Sequence, residues 1–134
     1  APAKPVSEDV WSGKGTILVV DDEEGALMMA KRVLETAEYT VLTATDGSDA
    51  IDVFRENQDS ISAVIMDLIM PHVRGDEAAK EIRKIKNDVN ILLLSGYHEI
   101  DLTEFKGGPG KTSHLEKPYK IAKLLGAVQD ILKA

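Results

Sequence analysis

The chain has 134 residues, 43% of them hydrophobic, which suffices for one domain with a core of its own. It has no cysteine, which excludes a disulfide scaffold and thiolate metal sites and fits a reducing compartment. A formal charge of −7 and a pI near 4.9 argue against direct nucleic-acid binding, and no stretch approaches the ~20 apolar residues of a membrane span.

Ala1–Lys14 (APAKPVSEDVWSGK) mixes prolines, a glycine and both charges without a period. It reads as a linker or tag remnant ahead of a domain over 15–134, with neither an initiator Met nor a signal-peptide pattern. Val10 and Trp11 are its candidates for packing onto that domain. Thr16–Val20 (TILVV) reads as the first strand and runs into Asp21-Asp22-Glu23-Glu24. Gly25–Glu38 reads as a helix, with Leu27, Ala30, Val33, Leu34 and Ala37 forming an apolar stripe and Lys31 at its margin. Asp22 or Glu23 is placed to serve its N-terminus, where negative charge is favoured. One of Met28 and Met29 is expected in the core and the other exposed.

Thr40–Ala44 reads as the second strand, with Tyr39 packing at the end of the first helix. Ser48–Asn57 is the second helix, with Ala50, Ile51, Val53 and Phe54 inward, and Gln58–Ser62 is a loop. Ala63–Met66 is a short apolar run ending on Asp67; apolar character resumes at Leu68-Ile69-Met70 and stops at Pro71. Such a run, closed by proline, reads as a buried parallel strand. Pro71–Gly75 is a turn in which Gly75 supplies a positive φ or a close backbone approach. Asp76–Lys86 is the third helix, Asn90–Leu94 the fourth strand, His98–Phe105 a short helix and KGGPGK (106–111) an irregular segment. Thr112–Glu116, less apolar, is an edge strand. Lys120–Leu132 is the last helix, with Ile121, Leu124, Leu125, Val128, Ile131 and Leu132 inward and Tyr119 packed against it. Alternation of strands and helices at these lengths implies an α/β, doubly wound parallel sheet.

Four features fall at the carboxyl ends of strands: Asp21/Asp22, Asp67, Ser95 and Lys117. In a sheet of order 2-1-3-4-5 the first and third strands are neighbours at the switch point, where ligands bind. That collects three carboxylates in one cleft, a poor arrangement without a cation. Hard oxygen ligands suit Mg²⁺. Ser95 offers a hydroxyl, Lys117 a point charge for phosphate oxygens, and Asp67 a carboxylate that can act as phosphoryl acceptor. Each signal has an ordinary reading as well: Asp-Asp as a helix cap, Ser-Gly and Lys-Pro as turn pairs. What favours chemistry is that all four end the appropriate strands in order. His72 and His98 have no ligand partners at a recognisable spacing, and Tyr97 borders the site opening. The first strand runs into acidic residues rather than a glycine-rich phosphate loop, which disfavours a Rossmann-type nucleotide binder.

ILVVDDEE (17–24), VIMDLIMP (64–71), Gly75, LLLSGY (92–97) and LEKPY (115–119), in this order and spacing, closely resemble the receiver domains of two-component response regulators of the chemotaxis type. The resemblance covers Thr16 to Leu132. It implies a flavodoxin-like (βα)5 fold and Asp67 as phosphoacceptor. It also implies Mg²⁺ held by Asp21, Asp22, Asp67 and the Ile69 backbone carbonyl, Ser95 as switch hydroxyl, Lys117 as phosphate-facing lysine and Pro118 as the cis-proline that aims it. The implied partner is a histidine kinase or a histidine phosphotransfer domain, in the cytoplasm and without membrane contact by the domain itself. GxGTILVVDDE, SGY and EKPY are most similar to receivers at the C-terminal end of hybrid sensor histidine kinases, with Gly13–Gly15 ending a linker and no output domain following Leu132.

Two positions depart from the family pattern. His114 stands where the family has its switch aromatic; an imidazole there could still swing and add pH dependence, while the plainer reading is a surface residue. Ile69 stands where a polar side chain would help place the attacking water. An aspartyl phosphatase would carry a second Asp at that position. A receiver-like interaction module that is never phosphorylated is the alternative.

Overall fold

The computed structural model describes residues 15–68, 70, 74–95 and 110–132. The described elements are β1 (Thr16–Val20), α1 (Glu24–Thr36), β2 (Thr40–Ala44), α2 (Gly47–Glu56), β3 (Ile61–Asp67), α3 (Gly75–Ile85), β4 (Asn90–Ser95), β5 (Thr112–Glu116) and α4 (Ile121–Leu132). The linker at 1–14, Ile69, the turn residues 71–73, Tyr97, the expected helix at 98–105 and residues 106–109 of the glycine-rich segment lie outside the described residues.

The five strands form one parallel sheet in the order β2-β1-β3-β4-β5, as the alternating pattern predicts. Side chains alternate across each strand, so β1 serves two cores. Leu18 and Val20 pack with Phe54, Met66, Ile82 and Leu93 beneath α2 and α3. Ile17 and Val19 pack with Leu27, Leu34, Ile65, Leu92, Leu124 and Val128 beneath α1 and α4. The inner strands β1, β3 and β4 are almost wholly buried, which explains their unbroken apolar sequences. β5 is only partly covered and lies at the edge.

Several expectations are corrected. β3 begins at Ile61 rather than Ala63, because Ile61 is buried and pairs with Thr16, and a register shift between Thr16 and Ile17 accommodates Ser62 as the extra residue. α1 ends at Thr36 rather than Glu38, since Glu38 adopts a φ of 78°, a left-handed conformation that stops the helix. Met28 and Met29 are both exposed, because the inward positions of α1 are Leu27, Ala30 and Leu34. Ile121 is 54% exposed rather than inward; the buried side of α4 is set by Leu124, Val128 and Ile131. Tyr39 is buried and Tyr119 half-buried, both on the core beneath α1 and α4.

At Gly75 the reason for glycine is close approach: a Cβ there would collide with the Asp67 carbonyl oxygen. The Gly75 N–H instead donates to the Leu68 carbonyl at 3.1 Å, so α3 starts against the end of β3. At the opposite end of the sheet Arg83 of α3 donates to the carbonyls of Val89 (2.9 Å) and Lys111 (2.8 Å) and to the Thr112 hydroxyl (2.8 Å). It thereby ties the helix to the entries of β4 and β5.

Candidate functional site

Register brings the site together. Val20 lies opposite Met66, so Asp21 leaves β1 beside Asp67, the last residue of β3. Asp67 lies opposite Leu94 and Ser95 opposite Glu116, so Lys117 follows on the same edge. The chain turns to opposite faces of the sheet between β1 and β3, which opens a crevice at their carboxyl ends.

Asp21 and Asp67 are 2% and 6% exposed, whereas Asp22 is exposed. Each of the three offers a carboxylate oxygen, and these oxygens lie within 4.8 Å of one another. Lys117 Nζ donates to Asp21 Oδ2 at 3.0 Å and to Asp67 Oδ2 at 3.3 Å. The other Asp21 oxygen, Oδ1, accepts the backbone N–H of Glu23 at 2.9 Å. Asp21 thereby holds the turn into α1, whose N-cap residue Glu23 makes no side-chain capping bond of its own.

Burial alone would lower the Lys117 pKa. The hydrogen bond it donates to Asp21 and the charges of Asp21 and Asp67 outweigh it and raise the value above the usual lysine range, so the ammonium stays charged. Burial raises the Tyr119 pKa, with Lys117 opposing and the two carboxylates reinforcing. Sequence reasoning placed Tyr119 against the last helix; its position two residues after Lys117 was the signal that it also borders the site. Tyr119, Lys117 and Pro118 line a pocket of about 510 Å³ together with Ala26 and Met29 of α1. The Lys117–Pro118 peptide bond is cis. Ser95 is 2% exposed, and its hydroxyl has no hydrogen-bond partner among the described residues. His114 is exposed on β5.

Three carboxylates against one ammonium leave the crevice with net negative charge. All-oxygen donors at this separation suit a hard divalent cation, and the cluster is positioned to coordinate Mg²⁺. Ile69, the expected carbonyl ligand, lies outside the described residues.

The response regulator receiver domain family matches residues 17–129. The chain belongs to that family. This receiver domain is 30% identical over 122 residues to the sensor kinase CckA of Brucella abortus, a match covering 91% of the chain and 13% of the kinase. The transcriptional regulatory protein PrrA of Mycobacterium bovis, 31% identical over 117 residues that cover 87% of this chain, is likewise longer, the chain spanning 49% of it. A receiver domain structure from Clostridium thermocellum shares 32% identity with a TM-score of 0.80, covering 88% of this chain and 94% of that one. The receiver domain of the hybrid histidine kinase CckA shares 29% identity with a TM-score of 0.75, covering 89% and 100% respectively. The acidic cluster and the Lys117 ion pairs give this receiver domain the apparatus of a phosphoacceptor that works with a divalent cation. No helix among the described residues is long and apolar enough to cross a membrane.

Proposed function

We propose that Asp67 accepts a phosphoryl group from a phosphohistidine on a histidine kinase or histidine phosphotransfer domain. The observation that carries this reading is the Lys117 ammonium held between the Asp21 and Asp67 carboxylates at the switch point. An oxygen of the Asp67 carboxylate attacks phosphorus, the P–N bond to the donor imidazole breaks, and that ring keeps the electron pair and takes up a proton. Lys117, already beside Asp67, offsets charge on the transferring oxygens. Asp21, Asp22 and Asp67, with the Ile69 carbonyl, would hold Mg²⁺. When bound, the ion neutralises the carboxylates and the incoming phosphoryl group.

Ser95 supports the switch half of the proposal. Its buried hydroxyl has no partner among the described residues, and a new set of acceptor oxygens on Asp67 gives it one. Movement of Ser95 and Lys117 toward that group biases the surface of β5, the segment before it and α4. Pro118 aims Lys117, and His114 is a surface residue of the edge strand. Hydrolysis of the acyl phosphate resets the domain.

The resemblance to CckA supports a receiver that folds over 15–134, preceded by a linker, and works in the cytoplasm as part of or beside a hybrid histidine kinase. The test is intact mass after incubation with a small phosphodonor, with and without Mg²⁺. We expect gain of one phosphoryl group only with Mg²⁺, and none in Asp67→Asn. If neither a small donor nor a histidine kinase labels the folded protein, and Mg²⁺ does not bind, the domain is instead an interaction module.

A further inference from the structure

β5 carries Lys117 to the site, yet little in β5 itself fixes where the strand lies. Its sequence is TSHLE, with Leu115 the one apolar residue and none of the five buried. It sits at the sheet edge, paired with β4. A strand this polar specifies its register weakly, and a slip of one residue turns every side chain to the other face. Such a slip would carry Lys117 about 3.3 Å along the sheet and turn it away from Asp21 and Asp67.

The strand is gripped at its opposite end. Arg83 Nη2 donates to the Lys111 carbonyl and to the Thr112 hydroxyl, both at 2.8 Å, while Nε donates to the Val89 carbonyl at 2.9 Å. Asn90, the first residue of β4, accepts the Lys111 N–H on Oδ1 at 2.9 Å. Gly110 completes the grip by close approach. A Cβ there would collide with the Val89 carbonyl oxygen and come within 3.1 Å of the Arg83 guanidinium carbon. The sequence neighbours of Gly110 are Pro109 and Lys111, so a slip of one residue either way puts a Cβ in that space.

The helix that supplies Arg83 is also set against β3. At its start the Gly75 N–H donates to the Leu68 carbonyl. Gly75 and Arg83 are separated by about 12 Å of helix. One rigid element thus sets the strand of the acceptor carboxylate and the strand of the lysine against each other.

We infer that Arg83, with Asn90 and Gly110, is a positioning residue for Lys117: the clamp fixes β5 lengthwise and so seats the ammonium on Asp21 and Asp67. Its bearing on phosphoryl transfer rests on Asp67 being the acceptor; the seating of Lys117 does not.

A double-variant cycle tests this. In urea without Mg²⁺, Lys117→Met lowers the folding constant, and in an Arg83→Met background it should lower it at least about fivefold less, because the ammonium removed is no longer seated. With Mg²⁺ and a small phosphodonor, Arg83→Met should slow labelling of Asp67 about tenfold. Arg83→Met/Lys117→Met should label no slower than Lys117→Met. Lys86→Met is the control for stability alone: it cuts a bond from the same end of α3 to the Gln58 carbonyl, ahead of β3, and should label at the wild-type rate. If Arg83→Met does not fold, Asn90→Ala carries the same cycles. Effects that multiply in the urea cycle overturn the inference, since Arg83 then stabilises the fold without seating Lys117. If the urea cycle shows the coupling and the wild type takes no label, the seating of Lys117 stands and the phosphoacceptor reading falls.

Discussion

Lys117 is the residue at which stability and chemistry meet. Its folded pKa lies above the ordinary 10.5, so its stabilising contribution is complete below that value and is lost as pH rises through the folded value. Tyr119 and Tyr39 act in the same direction: burial raises both above 10.0, and each resists ionising in the folded state. The protein should therefore lose stability as pH rises beyond about 10, and urea melts from about pH 8 to pH 11 should show a smaller loss in Tyr119→Phe. Lys117→Met leaves two buried carboxylates without their cation. In the absence of metal it should lower unfolding free energy by about 3 kcal/mol, measured by denaturant titration. An unchanged midpoint would mean that the ammonium does not balance these carboxylates.

At the scale of the elements, two glycines make opposite predictions. Gly75→Ala pushes a methyl group into the Asp67 carbonyl, so the start of α3 must move away from the end of β3. We expect a loss of about 1–3 kcal/mol together with weaker labelling of Asp67. Gly126 lies inside α4 with open space around a Cβ, and Gly126→Ala should stabilise by about 0.5–1 kcal/mol. Thermal melts of the two variants should move in opposite directions. Arg83 joins α3 to the entries of β4 and β5 through its hydrogen bonds to Val89, Lys111 and Thr112, and Arg83→Met should cost about 1–3 kcal/mol. The accompanying rise in amide exchange should be concentrated at the entry of β5 rather than at Asp67.

For the whole molecule, a cation that binds only the folded state adds stability by mass action, about 2.7 kcal/mol at a hundred times its dissociation constant. Mg²⁺ should raise the melting temperature of the wild type and do so far less in Asp22→Asn, whose exposed side chain leaves the core untouched. The sheet that organises this site was largely legible in the sequence. Buried parallel strands are continuous apolar runs, Asp21, Asp67 and Ser95 each end one, and Lys117 follows the edge strand beside them. Less was legible where a boundary depends on backbone geometry alone. Nothing in Glu38 announces a left-handed residue, and nothing in Ile61-Ser62 announces a register shift. Ile121, and one of Met28 and Met29, read as core because periodicity gives a face but not its edges. Gly75 reads as a positive φ or a close approach, and the choice between them depends on where α3 lies relative to β3.

Asp21 has two oxygens and two unrelated obligations. One fixes how α1 leaves the sheet, and the other holds a lysine that lies 96 positions further along the chain. A variant at this position therefore confounds genetics: loss of signalling in Asp21→Ala reports a misdirected helix, a released lysine and a missing ligand at once. Asp22, exposed and outside both of these bonds, is the residue whose replacement isolates the metal.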